Sequence, residues 1–253
     1  MTETNEPNMN VSSRQNIRKW ILVLSFFLLP VTLAFISPII IVMGAAQGIA
    51  TGSMLLIIAN FILSLVVARL WCGWLCPMGA WQEICSPLVK HTVQDGWRNA
   101  IKYGVSALWL ALLAYLFISA GGIRAIDPFF AMENGLAINS LPTLVVVAVI
   151  FAIMFIVAYL AGRRGFCHMF CPVAPLLVVG RKIRNSFRWP ALQLSADSSL
   201  CIDCKKCSKQ CPMGLDVNGM VRKGEMENPD CILCASCADA CPKGAIAYGW
   251  NKN

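Results

Sequence analysis

Charged residues are scarce in this chain. Asp, Glu, Lys and Arg make up 13% of its 253 residues, and hydrophobic residues make up 57%. Soluble domains carry about 25% charged residues, so this composition argues against an ordinary soluble globular protein. Histidine is scarcer still, because the chain contains only His91 and His168. So few histidines argue against a bis-histidine b-type haem, and the lack of a Cys-x-x-Cys-His motif excludes c-type haem.

Long apolar stretches take the place of the missing charge. Four of them are long enough to cross a bilayer, which takes about 20 helical residues. They lie near residues 20–43, 52–71, 103–121 and 141–161. We expect four transmembrane helices, because a helix satisfies its own backbone hydrogen bonds in lipid. Pro30 and Pro38 are expected to kink the first helix. A secretory signal is the alternative for the first stretch, which is longer than the usual signal core of about 7–15 residues.

Positive charge is distributed unevenly along the chain. The N-terminal tail and the segments after the second and fourth stretches are rich in Lys and Arg, whereas the segment between the first and second stretches has neither. The positive-inside rule therefore predicts a multi-pass protein of the cytoplasmic membrane with both termini in the cytoplasm. The same rule explains the net charge of +8, which we do not interpret as nucleic-acid binding. The basic run 181–188 is expected to contact anionic lipid headgroups.

Two cysteine arrays follow the last apolar stretch. Residues 201–212 read CIDCKKCSKQCP, and residues 231–242 read CILCASCADACP. Both have the Cys-x2-Cys-x2-Cys-x3-Cys-Pro spacing of bacterial ferredoxins, in which the fourth cysteine of each array binds the other cluster. The spacing predicts one [4Fe–4S] cluster on Cys201, Cys204, Cys207 and Cys241, and a second on Cys231, Cys234, Cys237 and Cys211. A structural zinc site is the alternative, but zinc needs only four ligands and here two complete arrays occur.

A second cysteine motif occurs twice in the membrane part of the chain. RLWCGWLCP at residues 69–77 and RGFCHMFCP at residues 164–172 share Arg, both Cys and Pro at an offset of 95 residues. Each copy follows two apolar stretches. The membrane domain is therefore interpreted as two parallel two-helix repeats, related by an approximate two-fold axis along the membrane normal.

This repeat predicts where the motif cysteines lie. Residues at i and i+4 share a helix face, so the two-fold axis would bring Cys72 and Cys76 towards Cys167 and Cys171. The four thiols could hold a third iron–sulfur cluster, with iron bound through these cysteines, or form redox-active dithiols. They could also be small apolar residues that pack the helix ends. All thirteen cysteines of the chain fall on the predicted cytoplasmic side, where thiols stay reduced, so metal or redox ligation is favoured over disulfides.

Three further residues belong to the same motifs or lie near them. Arg69 and Arg164 each precede the first motif cysteine by about one helical turn. They could offset the negative charge of thiolates or extend to the membrane edge. Cys85 has no counterpart in the second copy and is expected to be buried packing.

These features predict three segments. A cytoplasmic tail at 1–19 precedes an α-helical membrane domain at 20–190, and an α+β dicluster ferredoxin-like domain follows at 191–253. Within that domain, CPKGAIAYG at 241–249 predicts a short strand. The apolar residues between the arrays predict a small helix; they are Met213, Leu215, Val217, Met220 and Val221.

The spans, the two Cys-x3-Cys-Pro motifs and the two arrays together resemble the NapH/MauN family of polytopic ferredoxin-type membrane proteins. The Cys-x3-Cys-Pro region is also similar to that of NosR-type and CcoG-type proteins. The resemblance implies a quinol dehydrogenase component that passes electrons from the quinone pool towards a periplasmic reductase system, with membrane lipid and a redox protein as partners. Two other functions stay open. One is an accessory protein that supplies electrons for maturing or reactivating a metalloenzyme, and the other is a membrane anchor or assembly factor with structural clusters.

Overall fold

The structure is a computed structural model that describes residues 9–89, 91–93 and 97–251. The helices are α1 (Met9–Phe27), α2 (Leu29–Ile36), α3 (Pro38–Ala46), α4 (Gly52–Val67), α5 (Leu70–Trp74), α6 (Pro77–Ile84), α7 (Trp97–Ser119), α8 (Leu141–Ala161), α9 (Gly165–Met169), α10 (Ala174–Phe187), α11 (Lys206–Gln210), α12 (Val217–Lys223) and α13 (Ser236–Asp239). The strands are β1 (Ile49–Thr51), β2 (Ala125–Asp127), β3 (Ala191–Ala196) and β4 (Ile246–Asn251).

The first apolar stretch is broken into three helices. The helix axis turns by 86° between Phe27 and Leu29, where α1 gives way to α2. Pro30 lies in the first turn of α2, and Pro38 opens α3. Proline lacks an N–H group and is accepted in the first turn of a helix but not in its interior. The two prolines therefore divide the stretch into separate helices. The sequence had predicted one helix with a kink.

Among the residues that the structure describes, two helices are long and apolar enough to cross a membrane, Asn99–Ser119 within α7 and Leu141–Ala161. The bent pair α1 and α2 is a third candidate span. Helix α4 is apolar but has 16 residues, about 24 Å at 1.5 Å per residue, less than the bilayer core of about 30 Å. The prediction of four transmembrane helices is therefore confirmed only in part, as two or three candidate spans and a shorter apolar helix.

The helix order repeats at the offset seen in the sequence. The short helices α5, at 70–74, and α9, at 165–169, are 95 residues apart and carry the first cysteine of each motif. Each follows an apolar helix, α4 or α8, and each precedes a helix, α6 or α10, that starts at the motif proline or two residues after it. The parallel two-fold relation between the copies stays a prediction.

The links at the other end of these helices lie against each other. Strand β1 pairs in parallel with β2, with Ile49 opposite Ala125 and Thr51 opposite Asp127. These links are the two that the charge distribution predicts on the outer side of the membrane.

The C-terminal segment forms a small ferredoxin-like unit. Strand β3 pairs antiparallel with β4, and β4 starts within CPKGAIAYG, which confirms the predicted strand. Helix α12 confirms the predicted small helix, and Met213, Leu215 and Val221 are buried in the core beside it.

Candidate iron–sulfur sites

Two cavities in the ferredoxin-like unit are each lined by four cysteines. The first is lined by Cys201, Cys204, Cys207 and Cys241 and is called the distal site. The second is lined by Cys211, Cys231, Cys234 and Cys237 and is called the proximal site. The structure therefore groups the eight cysteines into the two sets that the ferredoxin spacing predicts. Binding of a cluster by each set stays a prediction.

Backbone N–H groups surround these thiols. The Ala245 amide donates to Cys241 Sγ at 3.3 Å, and amides of residues 213–215 point at Cys211. Burial raises the pKa of Cys211 to about 11 and that of Cys231 to about 12, whereas the N–H donors favour the thiolate. Thiolates are the form that binds iron, so a cavity of four thiols with convergent amides fits an iron–sulfur cluster.

The four motif cysteines also come together, and we call them the membrane site. They are Cys72, Cys76, Cys167 and Cys171, and none of them is exposed. The Cys76 thiol interacts electrostatically with each of the other three. Burial, and then the neighbouring Cys167 and Cys72 thiols, raise the pKa of Cys171 to about 12. Four thiols that are not exposed and whose thiolate charges would repel one another form a donor set that metal cations stabilise.

The helix-face argument for this convergence is wrong. Helix α5 ends at Trp74, and Cys76 lies between helices in an extended conformation with φ −70° and ψ 117°. The following proline disfavours a helical conformation at Cys76. The Cys76 N–H instead donates to the Trp71 carbonyl at 3.0 Å, and the Cys171 N–H donates to the Phe166 carbonyl at 3.1 Å. The same backbone turn, set by Cys-Pro, positions the second cysteine in both copies.

Arg164 is buried beside the membrane site and does not extend to the membrane edge. Its Nη1 donates to the Cys72 carbonyl at 2.8 Å, and its Nη2 pairs with Glu83 Oε2 at 2.9 Å. Glu83 also accepts from Arg18 Nη2 at 2.6 Å. Burial alone would raise the pKa of Glu83, but the two guanidinium groups outweigh it and hold the pKa at about 2. Glu83 is therefore ionised and ties α1, α6 and the second motif together.

Arg69, the counterpart of Arg164, is 1% exposed and joins the first motif to the ferredoxin-like unit. Its Nη1 pairs with Asp230 Oδ1 at 2.8 Å. Lys102 Nζ pairs with the same oxygen, and Asn99 Nδ2 donates to Asp230 Oδ2 at 2.7 Å. Burial disfavours ionisation of Asp230, but Arg69 and Lys102 hold its pKa at about 2. Asp230 directly precedes Cys231, so this ion pair holds the proximal site against the membrane helices.

The first motif packs directly on the loop between Cys231 and Cys234. A Cβ atom at Gly73 would lie 2.3 Å from the Ile232 carbonyl oxygen, so only glycine allows this approach. Trp74 Nε1 donates to the Leu233 carbonyl at 3.0 Å. The membrane site and the proximal site are therefore neighbours.

Gln82 is a site residue that the sequence analysis missed. Its Nε2 donates to Cys167 Sγ at 3.1 Å, and its Oε1 accepts from the Phe166 N–H at 3.2 Å. It is 1% exposed. The adjacent pair Gln82-Glu83 in a helix that otherwise reads PMGAWxxI is the sequence signal that could have identified it.

Other residues belong to the interface and not to a cluster site. His168 is buried between Asn99 Oδ1 at 3.4 Å and the Met213 carbonyl at 3.1 Å, and burial lowers its pKa to about 4. Cys85 is buried, as predicted.

The prediction that the run 181–188 contacts lipid headgroups is wrong for Arg181, which is buried and pairs with Glu227 at 2.6 Å. The reason is that Arg181 packs on the ferredoxin-like unit, where its guanidinium also donates to the Leu192 carbonyl and to Gln193 Oε1.

Two protein-family models match the chain in the regions that contain these cysteines. A model described as a 4Fe-4S dicluster domain matches residues 200–246, which contain both arrays. A model described as a 4Fe-4S binding domain matches residues 49–93 and 143–190, so each match contains one Cys-x3-Cys-Pro motif. The chain therefore has iron–sulfur domains in both its membrane and C-terminal parts.

Relatives in several organisms are similar to this chain over more than half of its length. The electron transport protein YccM of Escherichia coli (strain K12) is 26% identical over 196 residues, which are 74% of this chain and 53% of YccM. An uncharacterized protein of Methanocaldococcus jannaschii is 28% identical over 175 residues, 65% of this chain and 67% of that protein. The regulatory protein NosR of Pseudomonas aeruginosa is 23% identical over 164 residues, 61% of this chain and 22% of NosR.

The matched part of the chain thus spans about half the length of YccM and a smaller share of NosR. No solved structure matches the chain. The predicted similarity to NosR-type proteins is confirmed, and the comparisons support iron–sulfur electron transfer by a membrane protein. Assignment to the NapH/MauN type stays a prediction.

Proposed function

We propose that this protein exchanges electrons between the quinone pool of the cytoplasmic membrane and a redox protein, as a quinol dehydrogenase component of the NapH/MauN type. The ferredoxin-like unit would hold two [4Fe–4S] clusters, and the membrane site would hold a third iron–sulfur cluster. The observation that carries this proposal is the packing of Gly73 and Trp74 against the loop between Cys231 and Cys234, which makes the membrane and proximal sites neighbours.

The charges around the membrane site support a cluster over a pair of dithiols. Two carboxylates, Glu83 and Asp230, are each paired with two buried cations. Four positive charges against two negative charges leave a surplus of two positive charges. A [4Fe–4S]²⁺ core with four thiolates carries a net charge of about −2, which this surplus would offset.

The chain's own residues would bind the clusters at the three sites and set the charge and hydrogen bonding around them. When bound, an iron–sulfur cluster supplies one-electron exchange, while the protein supplies binding, orientation and electrostatics. The cysteine thiolates would bind iron, Arg69 and Arg164 would offset thiolate charge, and Gln82 would donate a hydrogen bond to Cys167. The buried Ile232 and Leu233 keep water out of the contact between the membrane and proximal sites.

A periplasmic acceptor cannot be reached by this chain alone. We infer that all three sites lie on the cytoplasmic side, and the bilayer core is about 30 Å thick. Delivery to a periplasmic enzyme would therefore need a partner subunit or passage through the quinone pool. Electron flow from a cytosolic donor to quinone is equally compatible with this arrangement.

The proposal is tested with the purified holoprotein in lipid nanodiscs and a short-chain quinol analogue. We expect the analogue to reduce the clusters, or its quinone form to oxidise prereduced clusters, with a change in visible absorbance. The Cys72→Ser/Cys167→Ser variant should lose this exchange while a low-potential chemical reductant still reduces the ferredoxin-like unit. Clusters that exchange electrons with the analogue in neither direction, even with candidate partners added, would refute the quinone role.

A further inference from the structure

The two cysteine arrays have the same backbone but different surroundings. Left-handed conformations occur at Asp203 and Lys205 in the first array, with φ of 56° at both. They recur 30 residues later at Leu233 and Ala235, with φ of 49° and 57°. Equivalent positions of the two arrays can therefore be compared directly.

One array is covered and the other is open. Ile232 in the second array is 2% exposed because the first motif packs on it, whereas the equivalent Ile202 is 57% exposed. Leu200, beside it, is 45% exposed. Exposed apolar residues that form a patch rimmed by polar ones mark interaction surfaces. The first array thus presents to solvent the face that the second array uses for contact.

The open array is also basic. Lys205, Lys206 and Lys209 stand where the covered array has Ala235, Ser236 and Asp239. Lys243 follows the fourth cysteine of the second array and lines the distal site together with Lys205. Segments 200–210 and 241–244 hold four lysines against one acidic residue, Asp203, and all five are exposed.

The distal site opens onto this surface. Cys204 is exposed, whereas Cys211, Cys234 and Cys237 of the proximal site are buried. Every residue that lines the distal cavity belongs to segment 200–246, so no membrane helix covers it in the part of the chain that the structure describes. A soluble protein could approach the distal site closely at this face.

We propose that the face formed by Leu200, Ile202, Lys205, Lys209 and Lys243, called the distal face, docks an acidic soluble redox protein. Its charge calls for an acidic partner, and its exposed isoleucine and leucine form the apolar centre of an interface. One electron would pass between the partner's redox centre and the distal site, oxidising one protein and reducing the other with no change in covalent bonds. This inference rests on the proposed electron-transfer function and specifies its soluble partner.

The test measures electron transfer from a reduced plant-type [2Fe–2S] ferredoxin, an acidic probe of about −400 mV, to the oxidised holoprotein by stopped-flow spectroscopy. Electrostatic steering raises association rates by about 10–10³-fold. We therefore expect the second-order rate constant to fall at least about tenfold between low salt and about 0.5 M salt. The Lys205→Glu/Lys243→Glu variant should be slower than wild type by at least about tenfold at low salt.

A matched variant controls for total charge. Arg222→Glu/Lys223→Glu changes two exposed cations of α12 that line neither cysteine cavity, and it should keep at least about half of the wild-type rate. Lys205→Gln/Lys243→Gln should give an intermediate rate. Reduction by photoreduced deazaflavin, which needs no docking, measures any change that the substitutions at Lys205 and Lys243 make to the distal site itself, so each ferredoxin rate is divided by it.

Three outcomes would overturn the proposal. They are a rate that does not depend on salt, equal rates in the two Glu variants, and loss of binding to anionic phosphatidylglycerol vesicles with an unchanged ferredoxin rate. The quinol-analogue reaction of a Lys209→Glu variant separates this proposal from the proposed function. Lys209 lines neither cysteine cavity, so that reaction should stay at the wild-type rate while the ferredoxin rate falls.

Discussion

At the scale of single residues, buried charge is the main feature of the interface between the helices and the ferredoxin-like unit. Arg18, Arg69 and Arg164 are each no more than 2% exposed, and each is paired with a carboxylate. An unpaired buried charge is costly, and removing one partner of a buried pair costs about 3–5 kcal/mol. These residues therefore hold the helices and the ferredoxin-like unit in one relative position.

At this scale we predict that Gln82 affects the midpoint potential of the membrane site. Its hydrogen bond to Cys167 Sγ withdraws electron density from the sulfur and favours the reduced, more negative state of a bound cluster. Gln82→Leu should lower the midpoint potential of the membrane-site signal, because hydrogen bonds to the sulfurs help set cluster potentials, and leave the other two signals unchanged. Potentiometric titration followed by electron paramagnetic resonance measures this.

The control for Gln82 is Gln82→Glu. This variant keeps an acceptor for the Phe166 N–H but places a carboxylate beside the sulfur, so its potential should be lower still. A potential in either variant equal to that of the wild type would show that the hydrogen bond has no effect on the membrane site.

At the scale of secondary-structure elements, the short helices α5 and α9 determine where the cysteines of the membrane site lie. Each is five residues long and ends where Cys-Pro forces an extended residue. In the first copy, the shortness of α5 brings Gly73 to the loop between Cys231 and Cys234.

Gly73→Ala tests this contact. The added Cβ would lie 2.3 Å from the Ile232 carbonyl oxygen, a backbone atom, so the motif and the loop must separate. We expect a loss of about 1–3 kcal/mol in stability, measured as a lower temperature for loss of iron–sulfur absorbance on heating. We also expect weaker magnetic coupling between the membrane-site and proximal signals.

Gly104→Ala is the matched control. Gly104 lies in α7 with no atom within 4 Å of an added Cβ, and alanine is favoured over glycine in a helix by about 1 kcal/mol. Its melting temperature should stay the same or rise. If Gly73→Ala has the melting temperature of the wild type and the same magnetic coupling between the membrane-site and proximal signals, the close packing of Gly73 on the Ile232 carbonyl is contradicted.

At the scale of the whole molecule, three cysteine sites follow one another from the membrane helices to the open edge of the ferredoxin-like unit. The membrane and proximal sites share a buried contact, and the proximal and distal sites exchange their fourth cysteines, Cys211 and Cys241. The order suits electron transfer between the membrane and a soluble protein.

Iron content tests this arrangement. Holoprotein should contain about 12 iron atoms per chain with three [4Fe–4S] clusters and about 8 with two. Cys72→Ser/Cys167→Ser should lose about 4 atoms and one of the spectroscopic signals, or about 2 atoms if the membrane site holds a [2Fe–2S] cluster. Cys85→Ser should lose none, because that cysteine lies outside the three sites. Unchanged iron in the double variant would rule out a third cluster.

Much of this organisation could be predicted from the sequence, because it depends on local patterns. The spacing within CIDCKKCSKQCP and CILCASCADACP predicted how eight cysteines group into two sets, and the structure brings the same sets together. The cysteines that bind a ferredoxin cluster are recognised by their spacing over a few residues, so they can be identified without knowledge of the fold. The offset of 95 residues likewise predicted that Cys72, Cys76, Cys167 and Cys171 converge.

Only the tertiary structure decided which residues surround these sites. Glu83 and Asp230 pair with cations up to 161 residues away in the chain, and no local pattern marks such partners. The break of the first apolar stretch and the burial of Arg181 also depend on what packs against each helix. Sequence by itself determined the cysteine donors and the apolar stretches, because spacing and hydropathy are local. The fold decided which array faces the membrane helices and which faces solvent, because burial depends on residues distant in the chain.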